Sequence, residues 1–346
     1  MTDETTRTVR GMPAWLRGLV MAAWNLVQIG IVFYGLGTIS FLLARIVIGE
    51  RWRAVAYANN FIPWMAWGAL GLAAISLLAR RRWLLIGLQA PIIATFLIIY
   101  GGLLLPRSDE VQAAGPTFSA ATYNIISRAS DPERVIEVIA AMDADIVGLQ
   151  EVGPEHAEKI GAAFANEYPY QVWYPRLPVH GVGLLSRYPV REEEMFRTLR
   201  DSMLHLRAVV EIEGVPTTVF VVHPSPPRHV ASPLTYNDQR RNIEIRILRE
   251  RYFGVVSGPM LALGDFNMSD QSDSHHALRP LLTDSFREAG QGMGFTFPAK
   301  GTRLPPLIRI DYVWHSDHFV AHDARSWDDS GTSDHLPVRA TLSLAP

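Results

Sequence analysis

Three stretches of this chain contain no aspartate, glutamate, lysine or arginine: Gly18 to Ala44, Ala54 to Ala79 and Trp83 to Pro106, of 27, 26 and 24 residues. A helix needs roughly 20 apolar residues to cross the hydrocarbon core of a bilayer, so each stretch is long enough. The first is also far longer than the apolar region of a cleaved signal peptide, and two more follow it. The expectation is a membrane domain over residues 1–106 with three transmembrane helices, at 18–44, 54–79 and 83–106.

The arginines around these stretches set an orientation. With a cytoplasmic N-terminus, six lie inside (Arg7, Arg10, Arg17, Arg80, Arg81 and Arg82) and four outside (Arg45, Arg51, Arg53 and Arg107). The positive-inside rule then makes the chain an integral protein of the cell membrane, with everything after Pro106 extracytoplasmic. The absence of cysteine is neutral on this point, because an exported domain can do without disulfides. Residues 1–106 hold nine arginines and three acids, whereas residues 107–346 hold 23 basic against 31 acidic residues. A protein that tracks a long polyanion usually presents a basic stripe. The acidic balance therefore makes nucleic acid a less favoured partner than the lipid bilayer itself.

Residues 107–116, polar and small and bounded by Pro106 and Pro116, read as a linker, and a catalytic domain is expected over 117–346. Apolar runs of strand length occur at Phe118 to Asn124, Asp145 to Gln150, Gly183 to Ser186, Leu206 to Ile212, Thr217 to Val222, Met260 to Leu263, Ile310 to Trp314 and Val338 to Leu344. Helical patterns fall at Pro132 to Met142 and Asn237 to Tyr252, and Glu213-Gly214-Val215-Pro216 reads as a hairpin turn. The mixture predicts an α/β layered domain rather than a purely parallel, doubly wound sheet.

The chemistry sits at the ends of these runs. Glu151 follows Ile146-Val147-Gly148-Leu149-Gln150 and suits a hard cation such as magnesium, which takes few protein carboxylates and keeps its waters. Asp265 and Asn267 follow Leu261-Ala262-Leu263-Gly264, so alternation turns both to one face with Phe266 inward. They suit orienting a water and gripping a phosphoryl oxygen, or else closing the strand in an Asx-turn. His335, after Asp334, is a candidate general base or electrostatic partner, and Asp311 inside Ile310-Asp311-Tyr312-Val313-Trp314 is the carboxylate to fix its tautomer. The alternative for these two is a satisfied structural pair. His223 leaves the strand Val219-Phe220-Val221-Val222 and suits contact with phosphate or a leaving oxygen, or a structural role; Asn124, closing Ala121-Thr122-Tyr123, is equally open.

Taken in order, Thr122-Tyr123-Asn124, Leu149-Gln150-Glu151, Gly181 to Arg187, Val222-His223, Gly264-Asp265-Phe266-Asn267, Arg309-Ile310-Asp311-Tyr312 and Ser333-Asp334-His335 resemble the endonuclease/exonuclease/phosphatase superfamily over residues 117–346. The resemblance implies a DNase I-like fold, a four-layer α/β sandwich, and a phosphoesterase site dependent on magnesium or manganese. It implies Glu151 as principal metal ligand, with Asp334 assisting and Asn124 holding metal or phosphate. Asp265 and Asn267 would orient nucleophile and phosphate, His335 with Asp311 would supply a base or charge stabilisation, and His223 would contact the phosphate or leaving group. Some nuclease members pair the His223-type histidine with a further acid; Glu193, Glu194 and Asp201 are the candidates here, and none sits in a matching motif.

Three apolar stretches ahead of this domain, together with Gly292 to Pro298 upstream of Arg309, resemble a membrane-anchored bacterial branch linked to glycopeptide resistance. That branch implies a phosphatase acting on an isoprenoid lipid pyrophosphate of the undecaprenyl type. Two rivals follow from the same residues. One is an extracytoplasmic nuclease or sphingomyelinase-like phosphodiesterase, with Arg228, Arg240 and Arg241 either forming a polyanion track or lining a solvated helix face. The other is a non-catalytic membrane protein that reuses the fold for binding.

Overall fold

The computed structural model describes residues 13–105, 115–177, 180–299 and 305–345, and the chain divides into two compact units, Met1–Gly102 and Leu103–Pro346. The linker expected at 107–116 lies almost wholly outside the described residues.

The first unit is helical: α1 (Ala14–Val47), a 3-10 turn (Gly49–Arg51), α2 (Arg53–Asn59), α3 (Ile62–Ser76) and α4 (Arg82–Leu104). Helices α1 and α4, of 34 and 23 residues, are long and apolar enough to cross a membrane, and most of their surface is not covered by protein. Phe33 and Ile98, for example, are 72% and 84% exposed.

The middle stretch departs from the expectation of a third spanning helix. It breaks at Asn60 and Phe61 into α2 of 7 residues and α3 of 15. At about 1.5 Å per residue, α3 reaches roughly 22 Å against a hydrocarbon core of about 30 Å. The break has local causes. Pro63 stands in the first turn of α3, where its missing N–H costs nothing but where a continuous helix would be interrupted. Asn60 folds back on the carbonyls of Ala56 and Tyr57, and Asn59 accepts from Arg45 at 3.1 Å and donates to Glu50 at 2.8 Å.

In the second unit the elements in chain order are β1 (Thr117–Asn124), α5 (Pro132–Met142), β2 (Ile146–Gln150), α6 (Pro154–Ala163), β3 (Tyr170–Tyr174), β4 (Val182–Ser186), β5 (Val190–Phe196), β6 (His205–Ile212) and β7 (Val215–Val222). There follow α7 (Gln239–Ile247), β8 (Met260–Asp265), α8 (Asp273–Leu278), β9 (Thr283–Asp284), α9 (Ser285–Ala289), β10 (Asp311–His315), β11 (Phe319–Ser326) and β12 (Val338–Leu344). The strands form two six-stranded sheets, β11-β12-β1-β2-β4-β3 and β5-β6-β7-β8-β10-β9.

Alternation along the strands assembles the layers. Ala121, Tyr123, Val147 and Leu149 pack under Val135, Val138 and Ile139 of α5 and Ile160 of α6. Phe220, Val222, Met260 and Ala262 likewise pack under Ile245 of α7, Leu248, Phe253 and Leu278. The remaining faces of the two sheets meet each other. At Gly148 a Cβ would stand 3.0 Å from Leu263 Cβ and 3.1 Å from Val221 Cγ2, so glycine lets the sheets approach there without displacing these side chains. The result is helix, sheet, sheet, helix, the mixed α/β architecture that the sequence predicts. All eight expected strands are present with ends shifted by two residues or fewer, while β3, β5, β9, β11, α6, α8 and α9 were not expected.

Register brings the functional residues to one edge. In each sheet a central parallel pair ends together, Asn124 beside Gln150 in the first and Val222 beside Gly264 in the second. Strand β10 begins where β8 ends, with Asp311 directly opposite Asp265.

Candidate active site

All eight residues singled out in the sequence lie at that edge. Asn124 is the hinge between the sheets: its Nδ2 donates to Glu151 Oε1 at 3.2 Å and to Asp265 Oδ2 at 3.1 Å, while its Oδ1 accepts from Ile126 N. Glu151 and Asn267 both adopt positive φ, 57° and 52°. Asparagine tolerates that region; glutamate pays strain for it, of order 1 kcal/mol or more. The strained backbone is what turns the Glu151 carboxylate back over the end of β1.

The Asx-turn anticipated after β8 is present and serves the site. Asn267 N donates to Asp265 Oδ1 at 2.8 Å, and Asn267 Nδ2 donates to Pro224 O at 3.0 Å and to Asp265 Oδ2 at 3.3 Å. Phe266 between them is fully buried. Behind the turn, Arg241 of α7 donates to Asn267 O at 2.8 Å and to Asp238 at 2.8 Å. Arg241 is thus neither a polyanion track nor a solvated helix face: it is 1% exposed. Arg240 is occupied as well, by Asp201, Glu244 and Ser225.

His335 is set between two carboxylates. Its Nδ1 lies 2.9 Å and 3.2 Å from the two oxygens of Asp311, and its Nε2 lies 3.7 Å from Asp265 Oδ2. Burial works against the imidazolium, but Asp311 and then Asp265 overcome it and push His335 up to about 10. Asp265 is buried too, yet His335 and His223 hold its carboxyl below the usual range. The pair is braced on every side. Phe297 packs tilted against the His335 ring with centroids 4.9 Å apart, Ser333 Oγ donates to Asn124 O at 2.6 Å and accepts from His335 N, and Leu336 N donates to Thr296 O. The segment Gly292 to Pro298 therefore acts as a support for His335 and Asp311.

His223 has its Nε2 3.5 Å from Asp265 Oδ2 and 3.8 Å from Glu151 Oε1. Burial opposes its charged form, and the hydrogen bond and charge of Asp265 raise its pKa nonetheless. None of the three acids considered for it takes up that role: Glu193 bonds the Tyr174 hydroxyl, Asp201 pairs with Arg240, and Glu194 lines a groove with Arg207 and Arg251. The imidazole Nδ1 has no hydrogen-bond partner among the described residues, and it is the backbone of His223 that meets a residue the sequence reading missed. His223 N donates to His205 Nδ1 at 3.1 Å, which fixes the proton of His205 on Nε2, facing Thr198 Oγ1 at 3.5 Å; Thr198 in turn donates to Glu244. Burial drives His205 down to about 3, so it stays neutral. A histidine opening an alternating strand was the available signal.

The donor set fits a divalent cation. Glu151 Oε2 and Asp334 Oδ1 are buried oxygens with no hydrogen-bond partner. The two side chains as a whole are 14% and 35% exposed, so both carboxylates lie at the border of solvent although these oxygens themselves are buried. Asp265, Asp311 and His335 also place ligand atoms within 4.8 Å of one another. Both oxygens of Asp311 are engaged by His335, however, and Asp265 is engaged by Asn267, Asn124 and the histidines. The hard, unsatisfied oxygens of Glu151 and Asp334 suit a magnesium-type ion better than that closed trio.

The family model described as Endonuclease/Exonuclease/phosphatase family matches residues 121–335. No curated protein matches the chain in sequence. Solved structures share the fold. An endonuclease/exonuclease/phosphatase from Beutenbergia cavernae is 20% identical with a TM-score of 0.55, covering 67% of this chain and 72% of its own. The mannosyl-6-phosphatase Bt3783 of Bacteroides thetaiotaomicron is 16% identical with a TM-score of 0.54, covering 66% and 100%. Truncated TDP2 of Caenorhabditis elegans is 15% identical with a TM-score of 0.50, covering 66% and 98%.

Proposed function

The chain belongs to the endonuclease/exonuclease/phosphatase family, and from that premise we propose that it is a membrane-anchored, divalent-metal-dependent phosphoesterase acting on an isoprenoid lipid pyrophosphate. The observation that carries the chemistry is the presence of two carboxylates, Glu151 and Asp334, each with a buried oxygen that has no hydrogen-bond partner, together with the closed group of Asp265, His335 and Asp311.

Roles follow from the contacts. Glu151 and Asp334 would hold the cation, with Asn124 keeping Glu151 in place. When bound, the ion neutralises phosphoryl oxygens and lowers the barrier to attack by water. Asp265 is ionised and accepts the proton of the attacking water, which the Asn267 amide helps to align. Asp311, and then Asp265, raise His335 above the ordinary imidazole value and so favour its imidazolium form over a free base. His335 offers charge to the phosphoryl group instead, the second of the two roles open from sequence. His223, raised by Asp265, donates to the phosphate or leaving oxygen.

Helices α1 and α4 support the membrane anchor, because their apolar surface is largely uncovered by protein. With two spans instead of three, six arginines (Arg45, Arg51, Arg53, Arg80, Arg81 and Arg82) fall between them and four (Arg7, Arg10, Arg17 and Arg107) outside. The positive-inside rule again favours an extracytoplasmic catalytic unit. Tethering raises the effective concentration of a bilayer-resident substrate. The engagement of Arg240 and Arg241 removes two cations from the nuclease alternative. Orthophosphate release from isoprenoid pyrophosphate, phosphocholine release from sphingomyelin and nicking of plasmid DNA, measured side by side with magnesium, test the reading. Turnover of the isoprenoid pyrophosphate is expected, and cleavage of DNA or sphingomyelin in its place would refute the assignment.

A further inference from the structure

The loop that leaves β7 directly after His223, residues 223–238, is braced at its base and apolar at its tip. At the base Pro224 O accepts from Asn267 Nδ2 at 3.0 Å, Ser225 Oγ accepts from Arg240 Nε at 3.1 Å, and Tyr236 is buried. Two backbone bonds then close the chain on itself, from Arg228 N to Asn237 O at 2.8 Å and from Asn237 N to Arg228 O at 2.9 Å. Beyond that closure the chain turns at His229, whose φ is 57°, and Ser232 O accepts from Tyr236 N at 2.9 Å. A residue other than glycine keeps such a φ where its surroundings hold it there, so the tip has a set shape. It presents Val230, Ala231, Pro233 and Leu234 to solvent, with Val230 58% and Leu234 74% exposed. Four apolar residues within five, displayed on a braced turn, form a patch and not the scattered exposure of an ordinary surface. Residues 224–237 contain no acid, although residues 107–346 carry 31, and Arg228 is exposed at the neck of the loop.

We infer that the tip at residues 230–234 docks on the surface of the bilayer that holds the chain, which turns the sheet edge carrying His223 and Asp265 toward the lipid headgroups. The inference rests on the membrane anchor of the proposed function and adds which face of the catalytic unit meets lipid. Three observations select a bilayer as the occupant. Helices α1 and α4 have membrane-spanning length and apolar surface left uncovered by protein. Residues 105–116, 12 in number, are all that separate the end of α4 from the start of β1, a reach on the order of 45 Å at full extension, so the catalytic unit stays beside the membrane. The acid-free loop with Arg228 at its neck matches anionic headgroups, which attract arginine and repel carboxylates. Val230 and Leu234 then enter the boundary between headgroups and acyl chains, as the apolar face of an interfacial segment does. Docked in this way, the site takes a lipid phosphate from the headgroup plane while the tail stays in the bilayer.

Fluorescence quenching by lipid tests the docking apart from turnover. The chain contains no cysteine, so a single introduced one is a unique labelling position. Full-length Leu234→Cys and Val255→Cys each carry the same small fluorophore and are reconstituted into vesicles of phosphatidylcholine and phosphatidylglycerol, with and without a nitroxide near the top of the acyl chains. Val255 is the control: it is 70% exposed and precedes β8, at the end of that strand remote from Asp265. The nitroxide lipid is expected to lower emission at position 234 by about two-fold or more, as for a tip seated in the interface, and to leave position 255 unchanged. No quenching at 234, or equal quenching at both positions, overturns the inference. A chain that does not float with the vesicles refutes the anchor and the docking together. A chain that floats and is quenched at 234, yet releases no phosphate from any lipid pyrophosphate, refutes the substrate assignment and leaves the docking standing.

Discussion

Replacing Asp311 by Asn removes a charge while keeping the shape of the side chain, and its consequences can be worked from two contacts. Asp311 faces His335 Nδ1 at 2.9 Å and 3.2 Å and is the first cause of the rise of that imidazole from 6.5 to about 10. Each pH unit of that rise corresponds to about 1.4 kcal/mol, so on the order of 5 kcal/mol favours the imidazolium in the folded chain. A raised histidine contributes its stability fully below its unfolded value near 6.5, and loses it as pH climbs through about 10. Asp311→Asn should therefore destabilise the catalytic unit most near neutral pH, by about 3–5 kcal/mol as expected for a broken buried pair. The deficit should shrink toward about pH 10, where the wild type has itself lost the proton. Neutral His335 can still donate from Nδ1 to the carbonyl oxygen of the introduced amide, so the fold should survive. Turnover should fall by about 10²–10⁴-fold. Unfolding of wild type and variant in detergent, followed side by side from about pH 6 to about pH 10, reads the difference. A deficit that stays constant across the range would refute the assignment of the proton to His335.

His205→Gln should flatten the acid limb of stability. His205 is lowered to about 3 by burial, so its contribution is complete above 6.5 and is lost progressively as pH falls toward 3. The difference between wild type and variant in acid unfolding is the readout, and parallel curves would contradict a neutral, buried His205. Gly264→Ala would place a Cβ 2.0 Å from Val222 O, between the strands that carry His223 and Asp265. A loss of roughly 1–3 kcal/mol in unfolding free energy is expected, together with a fall in turnover, and a variant equal to wild type in both would show that the strands can part there without consequence.

The site was legible because its residues follow apolar runs that end at one sheet edge, and a run such as Leu261-Ala262-Leu263-Gly264 announces both the strand and the residues leaving it. Edge strands gave no such signal. Strand β5, Val-Arg-Glu-Glu-Glu-Met-Phe, is exposed over five of its seven residues, and β11 carries a bulge between Ala321 and Asp323. Charged and irregular edges are how sheets avoid pairing with other chains, and that same polarity hides them from a reading by hydrophobic pattern. In the helical unit the counting of uncharged residues treated Pro63 as silent, although a proline is what divides that stretch. The support behind the site was hidden for a different reason. Arg241, His205 and Thr296 act through burial and backbone contacts made across 18 to 26 residues or more of chain, which no local pattern reveals.

The central claim is that Glu151 and Asp334 hold a cation with which this site cleaves a lipid phosphate. Its most direct test is release of orthophosphate from an isoprenoid pyrophosphate by the full chain in proteoliposomes, for wild type and Glu151→Gln, with magnesium and after chelation. Release that needs magnesium, returns when the metal is restored, and falls by at least about 10²-fold in the variant is the predicted result. Equal release in chelator, or a variant as active as wild type, would contradict it.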